Sequence, residues 1–252
     1  MKKLVLGLFL AWVSLAGAQA HELIIKPSST SASGDVLPMA LYSTHVFIAK
    51  EEVEDASRIN AGVFGVADNL LLAPGDGLLA FDAPVSKGTA IITAVKDGGI
   101  WSVTNEGGMA GSRGELESRG LKVLRASKND KYAKMVVNPS EGDSGFSAVV
   151  GHELEIVPMG NPATAKVGDL FEVKLLLRGQ PLSAPVWATR DGFSDIPNTY
   201  AYYTESGADG VAKIKLTEPG LWMVRTLKEE QAPKDGGYDV RSLRAVLTFG
   251  VK

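Results

Sequence analysis

Short stretches rich in Val, Ile, Leu, Tyr and Phe recur along this chain, each bounded by Gly, Pro, Asn or Asp, and nothing else in the sequence limits the fold as strongly. "ELIIKP", "VLPMALYSTHVFIA", "INAGVFGVA", "GLLAFDAP", "TAIITAV" and "IWSVT" lead the series, and "ELEIVP", "LFEVKLLLRG", "APVWATR", "VAKIKL", "LWMVRTL" and "RAVLTFGV" continue it. Such spacing of turn residues between strand-like runs predicts an all-β chain of sandwich type. Only "AKEEVEDASRI" and "GELESRGLKVLRAS" read as helical, and both are short or interrupted by Gly. The Pro-, Ser- and Gly-rich "NPSEGDSG" separates two strand series. Two β-sandwich domains are therefore expected, over residues 21–145 and 151–252, each of ordinary sandwich size.

Residues 1–20 read as a secretory signal. Lys2 and Lys3 precede an apolar run from Leu4 to Ala16, and Ala18-Gln19-Ala20 has the small-x-small pattern of a cleavage site. The run is too short for a spanning helix, and no later stretch is long and apolar enough to serve as one. Cleavage after Ala20 would release a periplasmic protein of 232 residues (252 less 20) that begins at His21. Loss of two lysines moves the formal charge from −3 to −5, which argues against a nucleic-acid partner. The chain has no cysteine, so thiolate metal sites and cysteine nucleophiles are excluded. A bound metal must take nitrogen and oxygen ligands.

The chain has three histidines, His21, His45 and His152. An N-terminal histidine offers its α-amine and its ring Nδ1 to one cation, a chelate that no internal residue can form, and the amine loses its proton readily near neutral pH. The opposing reading is a frayed terminus without a role, and the sequence leaves both open. In strict alternation His45 shares a strand face with Ser43 and Phe47, and alone it would be read as a strand-end histidine bonded to a carbonyl. His152 opens the second strand series, where "HELEIVP" echoes the "HELIIKP" of residues 21–27. The acidic "KEEVED" reads as a solvated face. "GDSG" at 142–145 matches the tetrapeptide around a trypsin-like nucleophile, but Phe146 follows it and His45 lacks the matching context. Ser144 is therefore read as part of turn punctuation.

Several of these stretches together resemble a known family. "HELIIKP", "STHVF", "DKYAKMVV", "GHELEIVPMGNPATAKVGDLFEVKLLLRGQPLSAPV" and "TESGADGVAKIKLTEPGLWMVR" are similar to segments of the NikM-like domain-of-unknown-function family of exported bacterial proteins, many of them linked to nickel or cobalt uptake. The resemblance runs from residue 21 to about residue 225, with no counterpart between residues 100 and 130. It implies two sandwich-like domains, the second similar to immunoglobulin or transthyretin-type modules. It also implies a non-enzymatic periplasmic role in delivering or sensing a transition metal. His21 and His45 fall on positions that are commonly histidine in such proteins, and His152 is taken as a third ligand. The expected ion is nickel or cobalt, alternatively copper or zinc, and the expected partner is a metal transporter of the inner or outer membrane. Two other readings stand beside this one: a copper protein using an amine and two imidazoles, and an adhesive or assembly module whose histidines are incidental.

Overall fold

A computed structural model describes residues 21–28, 35–85 and 88–252, so the expected signal peptide lies outside the described residues. The first part of the chain forms β1 (Glu22–Pro27), β2 (Val36–Thr44), β3 (Ile59–Val63), β4 (Ala73–Pro74), β5 (Leu79–Pro84), β6 (Ala90–Thr104), β7 (Gly107–Ala110), a short helix α1 (Arg113–Ser118) and β8 (Val123–Val137). The second part forms β9 (Leu154–Pro158), β10 (Leu170–Leu177), β11 (Gln180–Pro181), β12 (Pro185–Arg190), β13 (Tyr202–Glu205), β14 (Val211–Lys215), β15 (Gly220–Gln231) and β16 (Val240–Val251). The chain is all-β, as its strand-like runs require. Among the described residues, no helix is long and apolar enough to cross a membrane.

Three sheets make three layers. The central sheet has eight strands in the order β13-β12-β15-β16-β8-β6-β3, with β7 added to β6. One covering sheet, β1-β2-β5-β4, comes wholly from the first half, and the other, β9, β10, β11 and β14, comes wholly from the second. β8 shows why both coverings are needed. Residues 130–137 are buried without a break, the pattern of a strand with protein on both faces rather than one. Ala133, Met135 and Val137 enter a core with Leu23, Ile25, Met39 and Phe81 of the first covering sheet. Tyr132 and Val136 point the opposite way, into a core with Leu154, Ile156, Phe171 and Val173 of the second. That second sandwich, an antiparallel covering sheet facing the largely antiparallel central sheet with Phe171 stacked 4.4 Å from Phe249, is immunoglobulin-like in arrangement.

The segments 21–145 and 151–252 each bring a covering sheet, but they are not separate modules. β8 and β16 pair in parallel from Ser127 opposite Val240 to Met135 opposite Thr248, joining the halves through the middle of the central sheet. The expected boundary falls in the connection between β8 and β9, where Asp143 of "EGDSG" accepts hydrogen bonds from the amides of Gly145 and Thr89.

β1 is the edge strand of its sheet, and it runs across β8 and β16. On its free edge the Ile25 carbonyl accepts a hydrogen bond from Thr248 Oγ1 at 2.8 Å, so one of the edge's open backbone groups is satisfied by the central sheet. Ile24 turns away from the first core onto Met223 and Val246 of the central sheet. With both faces occupied, β1 holds its first residues in a fixed place.

Candidate metal centre

The antiparallel register of β1 and β2 sets Glu22 opposite Thr44. One step further along the same ladder places His21 across from His45, just beyond the last strand residues. The two rings lie with centroids 4.0 Å apart and tilted by 45°. β2 ends at Thr44, so His45 stands in the turn that follows, not within a strand as alternation had it.

That turn returns a carboxylate to the histidines. Val46 and Ala49 close a tight bend through a backbone hydrogen bond, and Ile48 takes φ of +58°, a left-handed conformation unusual for a β-branched side chain. Phe47 and Ile48 pack against the cluster formed by Ile24, Tyr42, Met223 and Val246, which holds the strained backbone in place. The chain then comes back alongside β2, with the Glu52 amide bonded to the Ser43 carbonyl.

Glu51 is the most tightly held member of the group. Its Oε1 accepts from Thr44 Oγ1 at 2.8 Å and from the amides of His45 and Val46, at 3.1 and 3.2 Å. Its Oε2 lies 3.0 Å from His45 Nδ1 and 3.3 Å from His21 Nε2. Partial burial would raise the Glu51 carboxyl, but the donors from Thr44, His45 and Val46 outweigh it and hold the group below the ordinary carboxylate range. Glu52 approaches His21 Nδ1 at 2.9 Å from the more exposed side. His21 is depressed below its usual value, first by burial and then by the neighbouring His45 charge. The site therefore offers an imidazole inclined to be neutral and an ionised carboxylate, both in ligating form.

Two residues further on, the same loop is pinned from below. Glu54 accepts from Ser43 Oγ at 2.8 Å and from Lys131 Nζ at 3.2 Å, and it also pairs with Lys96. Burial opposes its charge, yet the two lysines lower its pKa to about 2. A doubly anchored Glu54 fixes the return path that carries Glu51.

One ligand atom each from His21, His45 and Glu51 lies within 4.8 Å of the others. Two nitrogens and one oxygen at that separation fit a borderline divalent ion of the first transition row, with modest inward motion to reach bonding distances near 2.0 to 2.2 Å. His152 does not join them. Its ring packs 5.4 Å from that of Tyr132, whose side chain belongs to the core on the opposite face of the central sheet. His152, expected as a third ligand, thus lies outside this cluster, and the third group beside His21 and His45 is the Glu51 carboxylate. Glu51 escaped the sequence reading because "KEEVED" looks like a solvated charge run. The available signal was its place six residues beyond His45, the length of a loop that turns back.

No curated protein matches the chain. Among solved structures, the D0-D1 domain of Intimin aligns over 92% of this chain and 98% of its own at 13% identity, with a TM-score of 0.22. A family model described as Domain of unknown function (DUF4198) matches residues 18–230. On that match, which takes in His21, His45 and Glu51, the chain belongs to this family.

Proposed function

We propose that the protein binds a divalent transition-metal ion at His21, His45 and Glu51 and serves, in the periplasm, as an accessory that passes nickel or cobalt to a membrane transporter. The observation that carries this reading is the pairing of His21 with His45 at the open end of the β1–β2 ladder, with Glu51 fixed between them. Cleavage after Ala20 would add the His21 amine as a fourth donor. An amine with two imidazoles alone is the donor set of the copper reading; the additional carboxylate oxygen is harder, and it favours ions such as Ni²⁺, Co²⁺ and Zn²⁺ over Cu(I). The ion is cargo, and the chain's own part is to bind and orient it.

Calorimetric titration of Ni²⁺, Co²⁺, Cu²⁺ and Zn²⁺ tests the proposal on three proteins: one beginning at His21, one extended by a single residue, and one beginning at His21 with His45→Ala. An extended chain keeps the imidazole, but its terminal nitrogen becomes an amide whose lone pair is delocalised. Losing an outer partner of a metal ligand already costs 10–100-fold in affinity, so the extension should cost at least about that, and loss of His45 about 100-fold. Equal affinities for the first two proteins would remove the amine from the site. Absence of saturable binding by all three would leave the histidines incidental and favour an adhesive or assembly module.

A further inference from the structure

The covering sheet that starts with β1 leaves part of the central sheet's face open. Beyond β1, Trp101 of β6, Asn129 of β8, Ser242 and Arg244 of β16, Arg225 of β15 and Trp187 of β12 surround a cleft of about 370 Å³, within the usual range for small-ligand sites. We propose that this cleft is a binding site for a small organic monocarboxylate with a flat, apolar body, independent of the metal centre.

The floor supplies the charge. Arg225, Arg244 and Ser242 line the cleft and are 4%, 8% and 3% exposed. One carboxylate faces both guanidinium groups: Glu22 Oε1 lies 2.7 Å from Arg244 Nη1 and 3.3 Å from Arg225 Nε. Two buried cations against one anion leave a single positive charge, which matches a monoanion. Arg244 Nε and Ser242 Oγ make no hydrogen bond, and Arg225 Nε has only its 3.3 Å ion pair with Glu22, whose own Oε2 is likewise without a hydrogen bond. Buried donors left in that state are costly, and a carboxylate is the planar acceptor that guanidinium groups engage in two-point fashion.

The walls supply the shape. Arg225 lies 4.6 Å from the Trp187 ring and 5.3 Å from the Tyr200 ring, and Tyr200 fixes it further by accepting a hydrogen bond from Nη1 at 2.6 Å. The guanidinium is thus already oriented. On the other side Trp101 stands 44% exposed, an aromatic face with no role in either core. A bare inorganic anion would use the floor and leave these walls idle. An aromatic acid uses both.

The test is calorimetric titration of the chain from His21 to Lys252 with benzoate, with its neutral isostere benzamide, and with acetate. Benzoate should bind saturably, and benzamide and acetate at least tenfold more weakly. Trp101→Ala removes an exposed wall without touching the cores, so thermal unfolding should be unchanged while benzoate affinity falls about tenfold; Ser242→Ala should weaken it severalfold. His45→Ala should leave benzoate binding as it was, which separates this site from the metal centre. Benzamide binding as well as benzoate, no saturable heat with benzoate, or full affinity in the folded Trp101→Ala protein would each overturn the proposal. Loss of benzoate binding in His45→Ala would move the anion to the histidines and overturn it as well.

Discussion

His-Glu-Leu occurs at residues 21–23 and again at 152–154, and the two copies occupy corresponding places on opposite faces of the central sheet. Each stands at the start of a covering strand. Leu23 and Leu154 are both buried, in different cores. Each glutamate is held by two arginines: Glu22 by Arg225 and Arg244, Glu153 by Arg178 and Arg241. The histidines diverge. His21 meets a second histidine and a carboxylate because β2 runs beside it and its turn comes back with Glu51. His152 meets Tyr132, next to the buried Lys134–Glu155 pair, whose atoms lie 2.7 Å apart. A tripeptide thus specifies which way three side chains point, whereas the neighbouring strand decides what the histidine can do.

The glutamates give the sharpest way to break this comparison. Glu22 and its two arginines are almost wholly buried, whereas half of the Arg178 side chain is exposed and Glu153 itself is a quarter exposed. Removing one partner of a buried ionic group typically costs about 3–5 kcal/mol, since uncompensated charge is left behind; pairs open to solvent are worth about 1 kcal/mol or less. Glu22→Ala should therefore lower unfolding free energy in urea by about 3–5 kcal/mol, and Glu153→Ala by about 1 kcal/mol. Equal losses would mean that the two clamps are equivalent and that burial does not separate the two copies.

His152 supplies a second, smaller contrast. Desolvation, with Lys134 adding to it, lowers its pKa from 6.5 to about 4. The unfolded chain then binds a proton that the folded chain refuses, so the neutral ring's contribution is complete above pH 6.5 and is lost as pH falls towards 4. Each pH unit in that window is worth up to about 1.4 kcal/mol. Because the ring keeps part of its surface in solvent, a total near 2 kcal/mol is expected rather than the full amount. Urea unfolding at pH 7 and pH 4.5 should show this slope in the native sequence and lose much of it in His152→Gln. An unchanged slope would place the acid sensitivity elsewhere.

The strands were legible because alternation and turn residues are local signals. The pairing of β8 with β16 was not, since it joins residues more than a hundred positions apart and leaves no mark except burial on both faces. Lys131 and Lys134 disguise even that, because charged residues in "DKYAKMVV" suggest a solvated face, whereas both are buried against Glu54 and Glu155. His21 and His45 stood out by rarity, and the register of two adjacent strands brings them together. His152 was drawn in by the same rarity, but its strand covers the other face. Glu51 and the cleft around Arg225 had no comparable signal: one depends on the path of a loop, the other on side chains from five strands.

The smallest effect separates two adjacent carboxylates. Glu51 and Glu52 both touch His21, but they are held differently. Glu51 is fixed by a hydroxyl and two amides and reaches both histidines. Glu52 is half exposed and reaches only His21 Nδ1, the nitrogen that a terminal-amine chelate would claim. Metal entry would displace Glu52 from that nitrogen and leave it as a nearby negative charge, weakened by solvent and salt. Glu51→Gln should accordingly reduce metal affinity 10–100-fold, the range seen when a preorganised partner is lost. Glu52→Gln should change it by less than about threefold, because the cost of a more distant charge is offset by freeing Nδ1; a threefold change is under about 0.7 kcal/mol. Calorimetry on the two variants decides it. A loss at Glu52 as large as that at Glu51 would make the exposed carboxylate a ligand, and the ion would then sit at the mouth of the turn rather than between the two rings.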